Sequence, residues 1–229
     1  MPKFSKRAKA NAAIAEKTKA PQSAADAVKV LKQFKGPKFD QTVEVCVHLG
    51  IDPKVAEQQL RGSISMPKGV GKTARVIAFV PTDKVEAAKS AGAVEAGAEE
   101  LVAKVEGGWM DFDVAVATPD MMRVVSKLGR VLGPKGLMPS PKAGTVTPDF
   151  VTAVKDYSAG KVEYRNDAGG NVHCIIGKMS FKEDDLLANL EHFLAIIHKV
   201  KPGSAKGQYI KRCVISGTMT PGVPVAVAS

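Results

Sequence analysis

The sequence predicts a discontinuous α+β domain whose chain is interrupted by an inserted three-layer α/β domain. Three observations carry that prediction. The first and last thirds of the 229 residues hold strands that alternate apolar with polar residues, beside amphipathic helices. The middle third holds continuous apolar runs spaced by helical segments, the pattern of strands buried on both faces. Gly/Pro- or Gly/Ser-containing joints at Pro67–Gly71 and Ser158–Gly160 separate the two styles. The expected domains are therefore 1–68 with 161–229, and 69–160.

Residues 3–20, rich in Ala and Lys, read as a helix with a solvated basic face, broken by Pro21. Ser23 can cap a second helix to about Phe34. In QTVEVCVHL (41–49), Val43, Val45, Val47 and Leu49 point one way, while Thr42, Glu44, Cys46 and His48 point the other. LRGSISM is a second strand. ARVIAFV (74–80) and DFDVAVATP (111–119) are buried strands, with helices expected at 82–91, 98–106, from Pro119 and at 148–157, and a short strand at 93–96. KVEYRND and NVHCIIG flank Ala168-Gly169-Gly170 and predict a β-hairpin. Ser180 and Glu183 fit a capping box before a helix to about Val200, whose stripe is Leu186, Leu187, Leu190, Phe193, Leu194 and Ile197. YIKRCVISG is the last predicted strand.

The chain carries 33 Lys+Arg against 23 Asp+Glu, net +10. Such a balance favours a polyanionic partner. The excess is not spread evenly. Residues 1–68 are net +7, 69–160 neutral and 161–229 net +3. Apolar runs are too short for a signal peptide core or for the ~20 residues of a spanning helix, so no membrane partner is expected. Cys46, Cys174 and Cys213 are far apart and lie in apolar, β-like stretches, as buried reduced thiols do. They lack the paired spacing of a metal site, so neither metal nor cofactor is expected.

Motifs for catalysis are weak. Gly69-Val70-Gly71-Lys72-Thr73 resembles the end of a P-loop, but the first glycine of that motif is replaced by Met66, and a strand follows where a helix is needed. Asp111 and Asp113 could project from one strand face, or simply flank a buried strand. His48, His173, His192 and His198 show no ligand spacing, and no G-x-S-x-G occurs. The chain reads as a non-enzyme.

Nucleic-acid signals are stronger. Residues 121–145 contain Arg123, Lys127, Arg130, Lys135 and Lys142 and no acid, among glycines that allow close backbone approach to phosphate. Lys127, Arg130, Lys135 and Lys142 are the candidates for secondary RNA contacts, although the stretch also reads as a flexible solvated loop. In the outer domain Lys38-Phe39-x-x-Thr42 opens a strand and Ser216-Gly-Thr-Met-Thr-Pro closes one. A lysine can meet phosphate, an exposed Phe or Met can pack on ribose or base, and hydroxyls can bond a 2′-OH. Phe39 and Met219 read equally well as core residues.

KFDQTVEVCVHLGIDPK, QQLRGSISMPKGVGK, GWMDFDVAVATPDMM, SKLGRVLGPKGLMPSPKAGTV, YRNDAGGNVHCIIGKMSF and SGTMTPGV occur in this order over essentially the whole chain. Together they resemble the bacterial type of the ribosomal protein L-one family. That resemblance implies termini together in one domain, a Rossmann-like inserted domain, and large-subunit rRNA binding chiefly through the terminal domain. It also implies contact with deacylated tRNA at the exit site by a mobile stalk, and repression of translation by binding the chain's own operon mRNA. The expected setting is a single copy on the cytoplasmic ribosome. The family's RNA-holding motifs match Lys38, Phe39, Thr42, Thr218 and Met219, with Ser216 and Thr220 completing the candidate site. Thr220 stands where the family usually has Gly. A position needing positive φ would be strained by Thr.

Two other classes compete. The strand–helix alternation of the inserted domain would suit a nucleotide-binding α/β enzyme, although no G-x-G-x-x-G follows its first strand. The net charge alone would also suit an architectural DNA-binding protein.

Overall fold

The computed structural model describes residues 5–227. In chain order the first elements are helices α1 (Lys6–Lys17) and α2 (Ala24–Gln33), then strands β1 (Thr42–Leu49), β2 (Arg61–Ser65) and β3 (Val76–Phe79). Next come α3 (Val85–Ser90), β4 (Glu95–Gly97), α4 (Glu99–Glu106) and β5 (Val114–Ala117). Short helices α5 (Met122–Val125) and α6 (Gly129–Leu132) precede α7 (Phe150–Ser158). The chain finishes with β6 (Lys161–Arg165), β7 (Asn171–Lys178), α8 (Glu183–Lys199), β8 (Ile210–Gly217) and β9 (Val223–Val225). The fold is mixed α/β with three sheets. It divides into two compact units, one running to Gly71 and resuming at Tyr164, the other Lys72–Glu163.

In the first unit a four-stranded sheet has the order β7-β1-β8-β9. The alternation of β1 does what its pattern predicts, for Val43, Val45 and Val47 are fully buried and Leu49 nearly so. Burying each such side chain contributes about 1.5–3 kcal/mol. Val172, Ile176, Cys213 and Ile215 of the neighbouring strands are also buried. Helices α2 and α8 pack on this sheet and on each other. Ser23 caps α2, its hydroxyl accepting the Asp26 N–H at 3.2 Å. Helix α1 is capped by Ser5 and fixed by buried Asn11, whose amide exchanges two hydrogen bonds with the Lys35 backbone. Positions 3 and 4 of the helix expected over 3–20 lie outside the described residues.

The apolar stripe of α8 is interrupted by Asn189, which is fully buried. Its amide accepts the Lys68 N–H at 3.1 Å and donates to the carbonyls of Gly69 (2.9 Å) and Ile176 (2.8 Å). A buried amide is tolerated because all these groups are paired. Between Val43 and Glu44 the β1–β7 register skips Ile176, a bulge that brings Gly177 against α8. Gly177 has a φ of 153°, a backbone conformation that favours glycine, and a Cβ there would also press on Leu186 Cδ2 at 2.9 Å.

Two local expectations fail here. The 161–178 hairpin does not form, since β6 pairs with β2 and β7 with β1. The turn itself is real, with the Asp167 carboxylate accepting the N–H groups of Gly169 (2.8 Å) and Asn171 (2.7 Å). Only an isolated Asn166–Val172 bridge joins its arms, because Asn166 is held by Leu60 through bonds of 3.0 and 2.7 Å. The capping box is also absent. Helix α8 starts after Lys182 with no side-chain cap, and Ser180 instead bonds Asp40.

In the second unit β4-β3-β5 form a parallel sheet. All four residues of β3 are buried. Val76 and Ala78 join one core with Phe150, Val154 and Tyr157, while Ile77 and Phe79 join another with Leu101, Val105, Val125 and Leu132. Period-2 side-chain alternation divides one strand between two cores, which is why its sequence is apolar throughout. The strand expected over 111–119 begins at Val114. Asp111 and Asp113 precede it, and the helix expected from Pro119 is a broken run of short turns.

Candidate nucleic-acid interface

The candidate site of the first unit forms where β1 begins and its two neighbours end. Both pairings are antiparallel, so Thr42 lies beside Lys178 on one side, and Val43 beside Gly217 on the other. Lys178 Nζ donates to Thr42 Oγ1 at 2.8 Å. On the opposite edge the Thr218 N–H donates to the Thr42 carbonyl at 3.1 Å. Ser216 pairs with Glu44 and is half-buried. Residues 38–42 and 216–220, far apart in the chain, are thus brought together.

Gly217–Thr220 make a tight turn. The Thr220 N–H donates to the Gly217 carbonyl at 3.1 Å, and Thr220 Oγ1 accepts the Gly217 N–H at 2.8 Å. No described residue other than glycine has positive φ, so the strain considered for Thr220 does not arise. Its hydroxyl stitches the turn instead. Thr218 and Met219 occupy the central positions, and Met219 is 52% exposed. Phe39 is 53% exposed, so neither belongs to the core. Lys38 is exposed as well.

Several neighbours escaped sequence reasoning. Gln41, only 2% exposed, accepts the Met219 N–H on Oε1 at 2.8 Å. Asp40 receives both the backbone N–H and the hydroxyl of Ser180, at 3.1 and 2.8 Å. Position just before a strand was the sole sequence signal for either, and it is a faint one.

Lys127, Arg130, Lys135 and Lys142 in the second unit are all exposed, on the broken helical run and the loop that follows it. The loop is pinned from within, since Ser140 N–H donates to Thr145 Oγ1 at 2.7 Å and Tyr157 OH donates to the Ala143 carbonyl.

The catalytic candidates resolve into structural pairs. Lys72 Nζ lies 2.9 Å from Asp113 Oδ1, and the Arg75 N–H and Nε–H donate to Asp113 Oδ2 at 3.1 and 3.3 Å. Arg75 also bonds Asp111. The Lys72 ammonium and the Arg75 backbone N–H hold the Asp113 carboxyl down at about 2. The glycine run at 69–71 leads into β3 without a helix. A cavity of about 780 Å³ opens beyond the carboxyl ends of the parallel strands, where α/β sheets bind ligands. Its charged lining is Glu86, Glu99, Glu100 and Lys89, a net negative set that repels nucleotide phosphates.

Among the described residues no group of three or more His, Cys, Asp or Glu is placed to hold a metal ion, and no helix is long and apolar enough to cross a membrane. Burial pushes the Cys174 and Cys213 thiols up to about 12. His192 and His198 are exposed.

Exposed Lys38, Phe39 and Met219, gathered at one end of the sheet, form the kind of surface that suits a polyanion. A family model described as "Ribosomal protein L1p/L10e family" matches residues 31–221. The chain is 53% identical over 199 residues to the large ribosomal subunit protein uL1 of Nocardioides sp. (strain ATCC BAA-499 / JS614), covering 87% of this chain and 83% of that one. It is 49% identical over 223 residues to the large ribosomal subunit protein uL1 of Kosmotoga olearia (strain ATCC BAA-1733 / DSM 21960 / TBF 19.5.1), covering 97% and 96%. The chain belongs to the ribosomal protein L1p/L10e family, and its homologues are of the bacterial type.

Proposed function

We propose that this chain is a large-subunit ribosomal protein that binds large-subunit rRNA, with no catalytic role. The observation that carries this reading is the pairing of Thr42 with Thr218, with half-exposed Phe39 and Met219 close to them in the chain. Exposed apolar side chains beside lysines suit ribose and base faces next to phosphates, and strand-end hydroxyls suit the 2′-OH of RNA. The basic stretch containing Lys127, Arg130, Lys135 and Lys142 makes secondary RNA contacts. The domains act as a main RNA shelf, 1–68 with 161–229, and an inserted arm, 69–160. On the ribosome the chain contacts deacylated tRNA leaving the exit site. Off the ribosome it represses its own operon by binding an mRNA segment that mimics the rRNA site. Family membership and the two uL1 relatives support this reading.

The test is competition binding of the full chain to deproteinised large-subunit rRNA and to duplex DNA at physiological salt. Strong preference for rRNA is expected, and Phe39→Ala and Met219→Ala should each weaken rRNA binding about tenfold without lowering the melting temperature. Equal affinity for duplex DNA, or unchanged rRNA affinity in both variants, refutes the assignment.

A further inference from the structure

We infer that Gln41 is a positioning residue for RNA recognition, one that sets Met219 relative to Phe39. The inference rests on the RNA-binding reading of Met219 given above. In a turn closed from its fourth residue to its first, the third residue's N–H has no acceptor within the turn. Here that N–H belongs to Met219, and Gln41 Oε1 accepts it at 2.8 Å from a different part of the chain.

The amide lies against two glycines and is tightly approached by one of them. A Cβ at Gly36 would lie 2.9 Å from Gln41 Nε2, and one at Gly217 would lie 3.4 Å from Oε1. A side chain at Gly36 would press on the amide, while at Gly217 the distance is that of ordinary van der Waals contact. The Gln41 carbonyl meanwhile accepts the Met179 N–H at 2.9 Å, which ties the residue to the end of β7. One buried residue therefore links three segments, and it stands two residues after Phe39. The hydrogen bonds between Thr42 and Thr218 hold the strand ends without it. What Gln41 adds is the orientation of the turn tip. Moving Met219 would strand an amide oxygen that is shielded from water, so the tip is held before RNA arrives.

The measurement is the dissociation constant of the full chain for deproteinised large-subunit rRNA, with melting temperature recorded in parallel. Gln41→Leu fills the slot without an acceptor and should weaken binding about tenfold. Gln41→Glu keeps an oxygen at the same reach and should stay within about threefold of the parent. In a Met219→Ala background, Gln41→Leu should cost little more, since two groups acting as one unit are not additive.

Parent-like affinity in Gln41→Leu with a lowered melting temperature would make Gln41 merely structural and overturn the inference, as would full additivity with Met219→Ala. Unchanged affinity in Met219→Ala alone would instead remove the underlying reading. If Gln41→Leu does not fold, Gln41→Asn withdraws the same oxygen by one methylene, and the same weakening is required of it.

Discussion

Thr218 meets Thr42 through three hydrogen bonds. Its N–H donates to the Thr42 carbonyl (3.1 Å), its hydroxyl oxygen accepts the Thr42 N–H (3.1 Å), and the hydroxyl lies 3.3 Å from the same carbonyl. A side chain has taken over one rung of the ladder between β1 and β8. Thr218→Val keeps the shape and removes that rung. The expected loss is about 1 kcal/mol, seen as a melting temperature lower by about 2–4 °C. An unchanged melting temperature would show that water replaces the hydroxyl fully.

Thr220→Gly introduces the glycine that the family resemblance led one to expect, yet it should destabilise this chain. Thr220 has no left-handed backbone to relieve, and its hydroxyl is the acceptor for the Gly217 N–H at 2.8 Å. Glycine also adds unfolded-state freedom. Thermal denaturation should place the variant below the parent, and a rise would mean that Thr220 is strained after all.

The ion pairs around Asp113 predict an acid-sensitive contribution to stability. Its folded-state carboxyl titrates at about 2, below the unfolded value of about 3.9. A lowered carboxyl stabilises the fold fully above the unfolded value, and that stabilisation is lost as pH falls from about 4 toward 2. Asp113→Asn should be less stable than the parent at pH 7 and converge on it near pH 2. Parallel curves over that interval would contradict the assignment.

Salt dependence separates the two proposed RNA surfaces. Each phosphate contact removed should reduce the slope of log affinity against log salt by about 0.7–0.9. Replacing Lys127, Arg130, Lys135 and Lys142 together with Gln should flatten the slope while leaving the preference for rRNA over duplex DNA. A slope equal to the parent's would show that this stretch does not touch RNA.

Strand β1 was legible from sequence because half-burial imposes period-2 alternation, and Val43 to Leu49 display it without a break. The two cores of the second unit left an equally direct trace in the apolar run of β3. Pairing partners were not legible. The turn signal at 167–171 is correct, yet which strand each arm joins depends on Leu60 and on β1, more than a hundred residues earlier. Ser180 carried a helix-cap signature that Asp40 diverts. Strand β9 went unnoticed because Pro224 argues against a strand, and it is accepted here on a sheet edge beside Gln22. For the site, residue types and the family likeness pointed to Phe39 and Met219, but their exposure became visible only with the fold. Gln41 looked like any polar residue entering a strand.

The bond between Thr42 and Thr218 spans 176 residues of chain. During synthesis the 38–42 segment emerges long before its partner. A nascent or truncated polypeptide that stops short of Ile210 has the lysine and the ring but not the turn that completes the proposed surface, and it leaves one long edge of β1 unpaired. The proposed RNA surface is therefore incomplete until the 217–220 turn has been made.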